Sequence, residues 1–307
     1  MELEGLMNLQ LMMFLEIGIG WYLRKKNLIT EEGKKVLTDL VIDLILPCNI
    51  IQSFMMELNQ EILVKGLQIL MISMAIQMFC TLLSAVCYNR VERGKRAVLQ
   101  YATVCSNAGF LGNPVAEGLY GSMGLLYASI YLIPQRIVMW SAGVSYFTES
   151  PSKKEVLIKV LKHPCIIAVE IGAVLMVTQV PLPGVLVKTL GSFSSSTTPV
   201  TMLLIGSIMA GADLKTMVTK TTAAFSVIRL VLIPLAVYGG CLLFHADRLI
   251  TGVSVILAAM PAGSTTAILA AKFHRDEEFA SKCVVLTTVL SMIAIPAWSM
   301  VLTAGPG

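Results

Sequence analysis

Ser106-Asn107-Ala108-Gly109-Phe110-Leu111-Gly112-Asn113-Pro114 breaks an otherwise apolar run with two glycines, two asparagines and a proline. Proline removes one amide donor and clashes with the preceding turn. Glycine permits the backbone to unwind. A helix broken in this way leaves amides and carbonyls unpaired in mid-run. If the run crosses a membrane, such groups are tolerated only where they are buried in protein or line a watery cavity. A second stretch of the same kind lies later in the chain: Ala259-Met260-Pro261-Ala262-Gly263-Ser264-Thr265-Thr266.

The surrounding composition makes the membrane reading the natural one. Of 307 residues, 56% are hydrophobic and 14% charged, whereas a soluble domain carries roughly 25% charged residues. The apolar runs are long and do not alternate, which favours helices over a barrel. Ten spans are expected, at 4–23, 35–56, 62–88, 97–118, 123–147, 163–180, 185–210, 216–244, 249–272 and 279–303. Of the 23 Lys and Arg, 18 fall in loops after odd-numbered spans, Lys65, Lys188 and Arg248 fall on the opposite side, and Arg136 and Arg229 lie inside spans. Positive loops stay cytoplasmic, so both termini are expected outside the cell membrane. The start carries Glu2 and Glu4 without a basic leader region, and reads as a first transmembrane helix and not a cleaved signal.

Prolines disclose an internal symmetry. Pro47 and Pro199, Pro114 and Pro261, and Pro134 and Pro296 recur at spacings of 152, 147 and 162 residues, each pair five spans apart. Five is odd, so the second copy enters the membrane upside down. The expected architecture is all-α, with two inverted five-helix repeats at 1–147 and 163–307 and a cytoplasmic connector at 148–162. Two broken helices in equivalent positions of inverted halves point to a substrate site at the membrane midplane. Half-helices that begin near Pro114 and Pro261 aim free amides and a positive dipole end at the break, which favours an anion such as a carboxylate. The candidate substrate-binding residues are therefore Asn107, Gly109, Gly112, Asn113 and Pro114 in span 4, and Met260, Pro261, Gly263, Ser264 and Thr265 in span 9.

Charges inside spans need partners. Glu117, in the first turn after Pro114, is a structural cap, a proton carrier or a cation ligand. Asp43 shares a helix face with Pro47. Arg136 pairs with Glu117 or meets an anionic substrate. Glu16, Glu170 and Arg229 complete the set. These make Glu117, Asp43 and Arg136 the candidate coupling residues. Span 7 is rich in hydroxyls, from Ser192 to Thr201, which either bond their own carbonyls or line a path. The seven cysteines form no CxxC pair and the three histidines, His163, His245 and His274, are far apart. There is no zinc signature and no Walker A loop, so no metal or cofactor is expected, and no enzyme.

The two break motifs, Pro47 and a final span with Pro296 together resemble the auxin efflux carrier family, over essentially the whole chain and closest to its bacterial permease branch. That resemblance implies a fold like those of the bile-acid symporters and sodium–proton antiporters. In it, spans 1, 2, 6 and 7 form a scaffold and homodimer side. Spans 3–5 and 8–10 form a mobile core in which spans 4 and 9 cross, and transport is elevator-like. It places Asn107 and Asn113 on a carboxylate, with Pro114 and Pro261 shaping the crossing. The long cytoplasmic loop of plant carriers is lacking, which argues against auxin as substrate and against their phosphorylation control.

The leading expectation is a permease for a small organic anion, with membrane lipid as solvent, possible proton coupling and no nucleic-acid partner. Sodium symport on the same fold is the alternative, with Asn107, Glu117, Ser264, Thr265 and Thr266 as partial ligands. A sensor that keeps a transporter fold is a third.

Overall fold

A computed structural model describes residues 3–56, 58–139, 143, 145–147, 154, 158, 161–162, 164–210 and 217–304. Most of the expected connector, with Lys153 and Lys159, and also His163 and Lys215, lies outside these residues. The described chain is helical, apart from one isolated β-bridge.

The N-terminal part runs through α1 (Leu3–Lys25), α2 (Glu31–Leu40), α3 (Leu46–Phe54), α4 (Gln60–Cys87), α5 (Arg93–Val104) and α6 (Asn113–Val138). The C-terminal part runs through α7 (Pro164–Thr178), α8 (Gly184–Ser195), α9 (Thr197–Ala210), α10 (Lys220–Val227), α11 (Ile233–Leu243), α12 (Arg248–Ala258), α13 (Thr265–Lys272) and α14 (Glu277–Ala304). Among the described residues, five helices are long and apolar enough to cross a membrane: Glu31–Phe54, Gln60–Cys87, Gly184–Ala210, Lys220–Leu243 and Glu277–Thr303; Pro164–Thr178 and Arg248–Ala258 are shorter and apolar.

Side-chain chemistry sets the helix ends. Thr30, Asn59 and Asp247 accept amide hydrogens at the starts of α2, α4 and α12, and Thr219 and Thr222 form a reciprocal cap on α10. Such caps satisfy donors that the helix itself leaves free. α4 shows the sign of the solvent. Leu63, Leu67, Met71, Met74, Met78, Leu82 and Val86 recur every three or four residues and are all exposed, while Ser73, Gln77 and Ser84 are buried. A water-facing helix has the opposite arrangement. Here the polar stripe faces the protein, where Ser73 donates to the Tyr131 carbonyl at 2.6 Å.

Three π-helical turns share one cause. Val41–Ile45, Ala108–Gly112 and Ile228–Leu232 each precede a helix whose second residue is proline: Pro47, Pro114 and Pro234. In each, the amide just before the proline reaches back five residues, from Leu46 to Val41, Asn113 to Ala108 and Ile233 to Ile228. The wider turn accommodates the proline ring and its missing donor. Inside α6 the chain turns at Gly121, whose φ of 63° is a conformation only glycine adopts freely.

Packing falls into two groups. α1 lies against α9, and α3 against α7 and α8. α4, α5, α6 and α10 to α14 pack chiefly among themselves. In the first group the α1–α9 contact is backbone on backbone: a Cβ on Gly206 would fall 1.9 Å from the Ile17 carbonyl oxygen, and one on Gly20 2.1 Å from that of Leu203. Small residues permit such close approach of membrane helices.

Candidate functional site

The two broken segments pass antiparallel and are tied through their main chains. The Asn107 amide donates to the Pro261 carbonyl at 2.8 Å, and the Gly263 amide to the Cys105 carbonyl at 2.9 Å, on either side of the Ser106–Ala262 bridge. Gly263 lets the segments approach closely, since a Cβ would stand 3.1 Å from the Cys105 oxygen and 3.3 Å from that of Ser106, a tight fit. Side chains take up other exposed backbone groups. Gln135 donates to the Ser106 carbonyl at 2.8 Å and accepts from the Ser106 hydroxyl at 3.0 Å. Thr287 Oγ1 accepts from the Ala262 amide at 3.1 Å. Arg229 Nε donates to the Met260 carbonyl at 3.0 Å, and Arg229 Nη1 lies 3.4 Å from the Thr103 carbonyl. Leaving such groups unpaired in a dry interior would be costly.

A cavity of about 270 Å³ opens beside this crossing. Asn107 and Phe110 line it from the first break, and Ser264 and Ala267 from the second. These are the first turns of the two outgoing half-helices: Leu111 and Gly112 donate to the Asn107 carbonyl, and Thr266 and Ala267 to the carbonyls of Gly263 and Ser264. Helix N-termini carry partial positive charge. Lys34 and Thr38 face the cavity from α2, and Ser281 and Thr288 from α14. Leu204, Ile205, Ile208, Val284 and Val285 make the rest apolar. Lys34 also pairs with Glu31. The chamber thus offers one ammonium, the hydroxyls of Ser264 and Ser281 and two helix starts to an anion, and an oily wall to the rest of it; the Thr38 and Thr288 hydroxyls donate to the carbonyls of Lys34 and Val284.

The other candidate residues fall elsewhere. Gly112 is a packing glycine; a Cβ there would meet Leu257 at 2.6 Å and Met260 at 3.1 Å. Pro114 is buried beside it. Asn113 is 1% exposed, and neither end of its amide has a hydrogen-bond partner among the described residues. Thr265 accepts from the Tyr101 hydroxyl at 3.2 Å. Met260 and Pro261 are buried and contribute carbonyls, not side chains, to the crossing.

The candidate coupling residues separate. Asp43 is exposed. The Arg136 guanidinium lies beside Gly109, where a Cβ would be 3.3 Å from it. Glu117 instead takes a hydrogen bond of 3.1 Å from Asn49 of α3, and Asn49 also bonds Ser194 Oγ of α8 at 3.0 Å. This triad joins α3 and α8 to α6. The α2–α3 rod runs 15 residues from Lys34 to Asn49, roughly 22 Å at the helical rise, so the triad and the cavity lie towards opposite ends of it. Among the span 7 hydroxyls, Ser195, Ser196 and Thr201 bond carbonyls of their own helix.

Lys34, Asn49, Gln135 and Thr287 were not marked as site residues by the sequence, and Ser194 was marked only as one of the span 7 hydroxyls. Gln135 had one available signal: it follows Pro134 directly. Arg229 was visible as an intramembrane charge, but its target was not. None of the seven cysteines is in a disulfide; six are buried and Cys87 is exposed.

The chain is similar to known membrane transporters. The family model described as membrane transport protein matches residues 6–299. The chain is 26% identical to an uncharacterized transporter of Methanothermobacter thermautotrophicus, over 92% of this chain and 94% of that one. It is 22% identical to an uncharacterized transporter of Methanocaldococcus jannaschii, over 96% and 98% of the two chains. It is also 22% identical to the uncharacterized transporter YfdV of Escherichia coli, over 91% and 92%.

Proposed function

Because the chain belongs to the membrane transport protein family, the auxin efflux carrier family to which its break motifs point, we propose that it is a permease for a small organic anion, with a carboxylate as the recognised group. The observation that carries this reading is the cavity lined by Asn107 and Ser264, one from each break at the start of an outgoing half-helix, and by Lys34. A carboxylate placed there receives amide and hydroxyl donors and a countercharge. Its carbon body meets Leu204, Ile205, Ile208, Val284 and Val285, and so a short-chain monocarboxylate or dicarboxylate suits the space. Asn113, whose amide has no protein partner among the described residues, is the inner contact as the anion moves past Pro114.

The working cycle in this proposal is an elevator on a ten-span inverted-repeat fold. The body of α4–α6 and α10–α14 carries the crossing, and the body of α1–α3 and α7–α9 stays fixed, as one half of a homodimer. The positive-loop bias puts the Lys34 end of the cavity in the cytoplasm and both termini outside. The state described is then inward-open, with the Asn49–Glu117–Ser194 triad closing the outer side. Glu117 is the proton-sensitive member of that closure, since losing its negative charge weakens the bond from Asn49.

The test is thermal stabilisation of the purified protein by malate, malonate, lactate, citrate, indole-acetate and a bile acid. A ligand that binds only the folded state raises the melting temperature by mass action, by about 2.7 kcal/mol of stability at a hundredfold excess over Kd. A carboxylate shift that disappears in Asn107→Ala and weakens in Lys34→Gln is expected. Stabilisation by an organic cation or a neutral sugar, with none by any anion, would refute the substrate class.

A further inference from the structure

Each broken helix has an incoming half as well as an outgoing one. α5 ends at Val104 and α12 at Ala258. The last carbonyls of a helix have no partner within it and carry partial negative charge. The bridge of Ser106 to Ala262 brings these two negative ends to one place. Left alone, they would attract a small cation.

Arg229 already reaches them. Arg229 is 3% exposed, and its guanidinium lies against the Met260 carbonyl at the end of one incoming half and the Thr103 carbonyl at the end of the other. Among the described residues it forms no ion pair with a carboxylate. An arginine side chain stays charged and presents a planar fork of donors. A charge buried without a carboxylate needs another source of negative potential, and the two helix ends supply it. Its backbone is held in place for the task. Arg229 sits in the π turn before Pro234, and the carbonyl of Leu230, which Pro234 cannot serve, accepts from the Trp298 indole at 2.9 Å.

We propose that Arg229 is a built-in cation, taking at the carbonyl ends of both broken helices the place that a bound sodium ion would otherwise fill. It is a positioning residue: it touches the crossing and not the substrate. With the negative ends neutralised from within, the positive helix starts are left to the anion, and binding needs no coupling metal ion. This rests on the permease reading of the same crossing and narrows it away from sodium symport.

The experiment follows the melting temperature of the purified protein in sodium, potassium and choline chloride at equal ionic strength, without any organic anion. The wild type is expected to melt alike in all three; a sodium-specific rise would overturn the proposal. Arg229→Lys keeps a tethered charge and Arg229→Met keeps length without it. The methionine variant is expected to melt several degrees below the lysine one, and equal melting would overturn the proposal. Ethylguanidinium, against an ethylammonium control, is expected to raise the melting temperature of Arg229→Ala and leave the wild type unmoved; absence of this rescue would also count against it. If the substituted proteins do not fold, the wild-type salt series decides. Because no arm contains a carboxylate, failure of the anion panel would remove the substrate reading and leave this result intact.

Discussion

At the residue scale, the crossing depends on side chains that serve another segment's backbone. Gln135 answers both the carbonyl and the hydroxyl of Ser106, and it is 5% exposed. Gln135→Leu leaves both without that partner, in a place water does not reach. The expected loss is about 1–3 kcal/mol, read as a lower melting temperature, and Gln135→Glu is expected to recover less than the native amide because it lacks the donor. A Gln135→Leu protein as stable as the wild type would show that the crossing holds without it. Sequence showed where the backbone is broken, since Gly109, Gly112, Asn113 and Pro114 have no place in a regular apolar helix. It did not show what repairs the break. Arg229, Gln135 and Thr287 come from helices whose rotation about their axes is set by packing, and no local pattern encodes that.

At the scale of the element, α12 begins on a residue with two tasks. Asp247 accepts from the amides of Leu249 and Ile250 and from Lys65 of α4, 3.1 Å away. Burial raises its carboxyl, but the Lys65 bond and the two amides outweigh this and hold it below the ordinary aspartate value. A depressed acid stabilises the fold above its unfolded pKa of about 3.9, and the contribution is lost as pH falls through the folded value. Asp247→Asn keeps a capping oxygen and loses the charge. The stability gap between wild type and variant is expected to be full at neutral pH and to close below about pH 4, in melting curves taken across that range. A gap that persists in acid would assign the effect to packing. Asp43, a candidate coupling residue, lies within the π turn Val41–Ile45 and is exposed.

For the whole molecule, the two packing groups meet through few fastenings, and the Asn49–Glu117–Ser194 triad is one. Asn49→Ala removes its centre. In a Cys87→Ser background, which lacks the one exposed native thiol, Ser264→Cys reports access to the crossing. In the proposed state an impermeant maleimide labels it from the cytoplasmic side. Adding Asn49→Ala is expected to raise labelling from the outside severalfold, because destabilising one closed state shifts the population to the other. Unchanged labelling would separate the triad from gating. At this scale the helical, membrane-embedded class was legible from composition and from the exposed apolar stripe that α4 later displayed. The closed and open sides were not, because they depend on which of two packings the same contacts favour.

The bridge between Ser106 and Ala262 also bears on how the protein is made. Roughly half the chain separates its two strands, so the ribosome releases α5 and the start of α6 long before their partner exists. Until Ala262 emerges, the Asn107 amide and the Cys105 carbonyl have no mates inside the bilayer, and the first half is an unfinished piece for the insertion machinery and quality-control proteases to shelter or remove. A chain cut short before Pro261 is therefore expected to be degraded quickly, even though most of its helices have already been laid down.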